Sequence, residues 1–147
     1  MSNITSTIKS IRDIMRKDAG VDGDAQRISQ MVWMLFMKIF ADKEEEWEYT
    51  LDNYESPIAE KFKWDAWAAD DEGLTGDELM EFINSELFPA LKDIDTSKTE
   101  QAKIIKAVFE DTYNYMKNGT LFRQVINEID KIDFNSSEDR HTFNDIY

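Results

Sequence analysis

The sequence predicts an all-α fold, an irregular bundle of six or seven helices with residues 25–40 as its central buried helix. Three observations carry that prediction. Apolar residues recur at steps of three and four along most of the chain. Capping residues, glycines and two prolines punctuate those runs where helices start and stop. No stretch alternates apolar and polar residues with Val, Ile and Thr enrichment over more than a few positions, so strand signals are missing. At 147 residues, 41% hydrophobic and 12% aromatic, the chain is one domain in size and far too apolar for a disordered one.

The first element places Ile4, Ile8, Ile11 and Met15 on one helical face, with Gly20 as a left-handed stop. Asp22-Gly23-Asp24 offers carboxylate caps for a second helix beginning near Ala25. There Ile28, Met31, Val32, Leu35 and Ile39 form one apolar stripe, and Trp33, Phe36, Met37 and Phe40 a second. A helix apolar on two sides is packed on two sides, which makes it the central one. From Ala41 it continues as an acidic amphipathic arm with Trp47 and Leu51 as apolar contacts.

Residues 53–73 are the least regular stretch, beginning at Ser56-Pro57 and closing on Asp70-Asp71-Glu72-Gly73. Trp47, Trp64 and Trp67 admit an aromatic cage for a methylated cation. Tryptophans flanked by acids are more often the edge of a core, each indole N–H finding a nearby carbonyl. Thr75-Gly76-Asp77-Glu78 reads as a capping box for a helix burying Leu79, Phe82, Ile83 and Leu87, which must kink or end at Pro89. A second box, Ser97-Lys98-Thr99-Glu100, opens a helix carrying Ile104, Ile105, Val108, Phe109 and Met116, with Gly119 as its stop. Thr120 then caps a helix with Leu121, Val125, Ile129 and Ile132. Asn135, Ser136 or Ser137 caps a last segment ending at Phe143, Ile146 and Tyr147.

Charge is unevenly spread over a chain of formal net charge −14. Residues 1–41 hold six basic and four acidic groups, residues 42–95 four and eighteen, residues 96–147 seven and nine. The acidic middle third is either a solvated surface or a face for a basic partner, and its field repels a phosphate backbone. The N-terminal third does not. There Lys9, Arg12, Arg16 and Lys17, followed by Arg27, form the cationic cluster of an acidic chain. It is either the wet side of an amphipathic helix or a surface for phosphates or an acidic sister subunit. No helix-turn-helix signature of a base reader accompanies it, so any DNA contact positions without specifying sequence.

The groups that catalysis needs are missing from the pattern. No cysteine supplies a thiolate, and His141 has no second His or Cys with which to form a metal site. The five glycines make neither a GxGxxG nor a GxxxxGK phosphate loop, and no GxSxG occurs. Met31 to Phe40, broken by Lys38, rises about 15 Å, half a bilayer core, which reads as a buried helix. The N-terminus lacks the basic and apolar regions of a signal peptide, so the cytoplasm is expected.

Three stretches carry a resemblance: Ile11-Arg12-Asp13-Ile14-Met15-Arg16-Lys17-Asp18-Ala19-Gly20, Asp24-Ala25-Gln26-Arg27-Ile28, and Trp33-Met34-Leu35-Phe36-Met37-Lys38-Ile39. With the Trp64/Trp67 region, Val125-Ile126-Asn127-Glu128-Ile129-Asp130 and Asp145-Ile146-Tyr147, the chain resembles the N-terminal helical domain of the modification subunit of type I restriction-modification systems. The resemblance implies a subunit that binds S-adenosylmethionine and methylates adenine in double-stranded DNA. It implies assembly with a specificity subunit, a second modification subunit and a restriction subunit. It also implies that residues 135–147 lead into a methyltransferase domain. The Asn-Pro-Pro-Phe/Tyr motif of that domain does not occur here, so no catalysis and no cofactor are expected of these 147 residues alone. Subunit assembly and closure around DNA are the expected roles. A free-standing helical interaction module and an acidic DNA-mimic inhibitor are the alternatives.

Overall fold

Ile8, Ile11 and Met15 are buried side by side, as their spacing requires of one helical face. They belong to α1 (Ile4–Met15), the first helix of a computed structural model that describes residues 4–69, 73–97 and 99–132. α2 (Gly23–Thr50) follows, then a single 3-10 turn (Glu60–Phe62) and the one-turn α3 (Trp64–Trp67). α4 (Gly76–Glu81), a π-helical stretch (Phe82–Leu87) and α5 (Phe88–Lys92) run on from one another. α6 (Glu100–Phe109) and α7 (Gly119–Asp130) complete the described elements, among which there is no strand.

At 28 residues α2 is about 42 Å long and passes through the core from the basic third into the acidic third. Met31, Trp33, Met34, Leu35, Met37 and Phe40 are buried along it. Trp33 meets Phe88, Phe109 and Phe122, with ring centroids 4.8, 6.2 and 5.9 Å away. α7 shares the centre: it packs against α1, α2 and α4 and buries Phe122, Val125, Ile126 and Ile129. The expected continuation of α2 past Ala41 is present.

The two-stripe reading of α2 is corrected at three positions. Ile28 and Val32 are 39% and 47% exposed, and Met34, in neither stripe, is fully buried. Periodicity fixes the angle between residues, whereas neighbouring elements decide which angle is covered. Here Phe109 of α6 covers the Phe36 side, with ring centroids 5.9 Å apart. The edge bearing Ile28 and Val32 is left open on a groove with Val108, Tyr113 and Tyr115. Gln30 is fully buried in mid-helix because its amide is satisfied. It donates to Asn114 Oδ1 at 2.9 Å and accepts from the Tyr115 N–H at 2.7 Å. That clamp ties Asn114 and Tyr115, in the irregular segment after α6, to α2.

Several caps differ from expectation. Asp22 and Thr75 occupy N-cap positions without a side-chain cap bond. Thr99, not Ser97, caps α6 by accepting from the Ala102 N–H, while Ser97 turns to Asp95. Asn118, not Thr120, caps α7 and accepts from Thr120 and Leu121 N–H. α6 stops at Phe109, so buried Met116 lies on the irregular segment that follows and not on the helix. Ile104 of the same expected face is half exposed. Pro89 sits in the first turn of α5, where its missing N–H is harmless; the π-helical turn precedes it and the helical path continues.

Two glycines serve close approach and not handedness. Gly20 has no positive φ, but a Cβ there would lie 2.1 Å from the Tyr115 carbonyl oxygen. Gly119 opens α7 instead of closing α6, and its Cβ would lie 1.9 Å from the Gly76 carbonyl oxygen. The final segment with its caps, His141, and the acids Asp70, Asp71 and Glu72 lie outside the described residues.

Candidate nucleic-acid interface

Because α1 spends one face on the core, Lys9, Arg12 and Arg16 emerge on another, spaced three and four residues apart. Lys9, Arg16 and Lys17 are exposed and Arg12 is half-buried. Arg16 reaches Asp13 at 3.5 Å, a solvated pair of little energetic weight. Arg27, on the first turns of α2, is turned onto Asp24. The Asp24 carboxyl is held below its ordinary value, first by the Arg27 hydrogen bond and charge, and further by Arg16 and Arg12. Arg27 thus touches Asp24, while Arg16 and Arg12 act on it by charge alone, where the end of α1 meets the start of α2.

Asp18 fixes that junction. It is 3% exposed, and its carboxylate accepts from the Gly20 N–H at 2.7 Å, the Lys117 N–H at 3.0 Å and the Asn118 N–H at 2.9 Å. Three backbone donors replace the water a carboxylate loses on burial. Lys117 is thereby brought against Gly20. Sequence reading missed it, because a residue 100 positions from Lys17 shares no spacing with α1.

The far end of α2 has the opposite sign. Glu44, Glu45, Glu48, Glu60 and Asp65 line a cavity of about 350 Å³ with Lys63. Buried Glu44 accepts from the Tyr54 hydroxyl at 2.7 Å. Burial, then the bond to Glu44 and its charge, push the Tyr54 phenol well above its ordinary value. Burial opposes the charge of Lys63, yet the Glu60 bond and the charges of Glu44 and Glu48 outweigh it and hold the ammonium above its ordinary value.

The tryptophans form no shared cage. Trp47 packs on Phe40 and Tyr54. Trp64 and Trp67 meet edge to face with ring centroids 5.3 Å apart, their N–H groups donating to Asp130 Oδ1 and to the Phe62 carbonyl. Buried Arg123 serves the core as well, donating to the Trp67, Ala68 and Leu74 carbonyls and so tying those three residues to α7. Among the described residues no group of three His, Cys, Asp or Glu side chains is placed to hold a metal ion. No described helix is long and apolar enough to cross a membrane.

A helical domain threaded by one long helix with a cationic and an anionic end is the class these observations define. The chain matches the HsdM N-terminal domain family over residues 4–129, and it belongs to that family. It is 56% identical over 147 residues to the type I restriction enzyme EcoEI methylase subunit of Escherichia coli, covering 99% of this chain and 30% of that protein. Among solved structures, it is similar to a modification subunit assigned to a type I restriction enzyme of Vibrio vulnificus YJ016. That match has a TM-score of 0.83 and 35% identity, and covers 95% of this chain and 32% of the other. A chain from a structure concerned with complex assembly and conformational transition of the type I R-M system aligns with TM-score 0.81 and 25% identity, over 94% and 27%. The chain thus spans about a third of the length of these relatives, and the resemblance carried by residues 11–40 is confirmed.

Proposed function

We propose that this domain serves assembly of a type I methylase complex, with the α1–α2 junction meeting the phosphate backbone of double-stranded DNA. The observation that carries the reading is the cationic surface of Lys9, Arg12, Arg16, Lys17 and Arg27 on a chain of net charge −14. An acidic protein that keeps one cationic end concentrates attraction for a polyanion there and repels it elsewhere. The relatives' names support membership in a type I complex; the family resemblance implies as partners a specificity subunit, a second modification subunit and a restriction subunit, in the cytoplasm. Adenine methylation from S-adenosylmethionine belongs, on this reading, to the two-thirds of the relatives that this chain does not span. The described residues do not fit that cofactor, since they hold no strand and hence no glycine-rich turn at the edge of a sheet. The DNA-mimic alternative needs carboxylates spread like phosphates, whereas here five of them surround one cavity.

The test is Lys9→Glu, Arg12→Glu and Arg16→Glu together in the full-length subunit within its methylase complex. DNA affinity is expected to fall by roughly 10- to 100-fold, and the slope of log affinity against log salt to shrink by about 2 to 3. Unchanged affinity and slope overturn the reading.

A further inference from the structure

We propose that Lys117 belongs to the same polyanion-binding surface as α1, and that Asp18 is the residue that positions it there. This rests on the reading that the α1–α2 junction meets a DNA phosphate backbone.

The first support is how the described lysines are employed. Lys38, Lys43, Lys61, Lys63, Lys103 and Lys131 each have a carboxylate within 4 Å. Lys106 donates to the Lys92 carbonyl, and the Lys92 ammonium lies over the Tyr113 ring. The ammonium groups left without any such partner among the described residues are those of Lys9, Lys17 and Lys117. On a chain with 31 acidic residues against 17 basic ones, these three lysines are cations held clear of carboxylates. Two lie along α1 and the turn after it, and the third arrives from 100 residues away.

The second support is the geometry that delivers it. Asp18 follows Lys17 directly and holds the Lys117 backbone through a bifurcated bond of 3.1 and 3.0 Å. The Lys117 stem passes over Gly20 so closely that a Cβ on that glycine would lie 2.7 Å from Lys117 Cγ. The backbone is held, the stem starts out over Gly20, and the residue as a whole is exposed.

The third support concerns the kind of partner. Among the described side chains, none of the exposed large apolar residues, Ile28, Val32, Tyr49, Leu51, Ile104 and Tyr113, lies on α1 or in the turn after it, and Tyr113, the one nearest Lys117 in sequence, is met by the Lys92 ammonium. A protein partner needs apolar anchors at the centre of its contact. A surface of unpaired cations without such anchors suits phosphates.

The experiment uses the full-length subunit in its complex, with duplex DNA titrated at several salt concentrations. Lys117→Glu is expected to weaken binding about 5- to 10-fold and to reduce the salt slope by about 1, while Lys117→Arg keeps both near wild type. Lys103→Glu, on α6 and paired with Glu100, leaves both unchanged. Asp18→Asn reduces the slope by itself but adds little to Lys117→Glu, the coupling expected when one residue acts through the other. If Lys117→Glu leaves affinity and slope intact while the triple α1 variant lowers them, Lys117 lies outside the surface and the α1 reading survives. If neither variant changes binding, both proposals fall.

Discussion

Asp24 and Glu44 stand on one helix, about 30 Å apart by its rise, and each is an acid held by a neighbour. Asp24 lies in water among Arg27, Arg16 and Arg12, and its carboxyl gives up its proton more readily than usual. Glu44 is buried among further carboxylates, and the groups around it, Tyr54 and Lys63, keep their protons longer than usual. The two ends of this helix thus lie in surroundings of opposite sign. Opposite signs on one rigid rod give the domain an orientation in the field of a charged partner before any contact forms.

The largest effect is expected where the cationic end is fastened. Asp18→Ala leaves three backbone N–H groups without their acceptor and should cost roughly 3 kcal/mol, read as a lower midpoint in urea unfolding. A loss under about 1 kcal/mol would show that water replaces the carboxylate freely, and the latch would then not distinguish the two ends.

At the anionic end, Tyr54→Phe removes the donor of buried Glu44 and should cost about 1 kcal/mol at neutral pH. Tyr54 and Lys63 both hold protons more tightly folded than unfolded. Their contribution is therefore complete below about pH 10 and declines as pH rises through the folded values. Urea midpoints followed from pH 8 to 11 should fall for the wild type and fall less for Tyr54→Phe; parallel curves would refute the assignment.

The smallest effect lies back at the cationic end. Arg27→Gln should return the Asp24 carboxyl toward its ordinary value, read by NMR titration of that side chain. A folded value that is lowered makes a contribution present above the unfolded value of 3.8 and lost as pH falls through the folded one. An unmoved titration would show that Arg12 and Arg16, not Arg27, set the local potential.

Much of this molecule is legible in its sequence, and what is not has identifiable reasons. The face of α1, the length of α2 and the buried positions Leu79, Ile83, Leu87, Val125 and Ile129 follow from spacing alone, since burial of a helical face is a local rule. Ile28 and Val32 were misplaced because what covers a helix is decided by distant elements, here α6 and the segment after it. Gly20 and Gly119 look like helix stops in sequence, but they are the points where two backbones touch, and no pattern in one segment records the other. The cationic residues of α1 and Arg27 are readable as a charge cluster. Lys117 is not, because two of the three N–H donors to Asp18 come from across the fold.

That latch sets the order in which the surface comes into being. Asp18 waits for residues 117 and 118, and a chain growing at about 5–20 residues/s supplies them roughly 5 to 20 s after Asp18 itself. Until then a nascent chain carries α1 and most of α2 with the Asp18 carboxylate lacking two of its three donors. The cationic surface is complete only when nearly all of the domain has been synthesised, which postpones its full attraction for nucleic acid until the core beneath it can close.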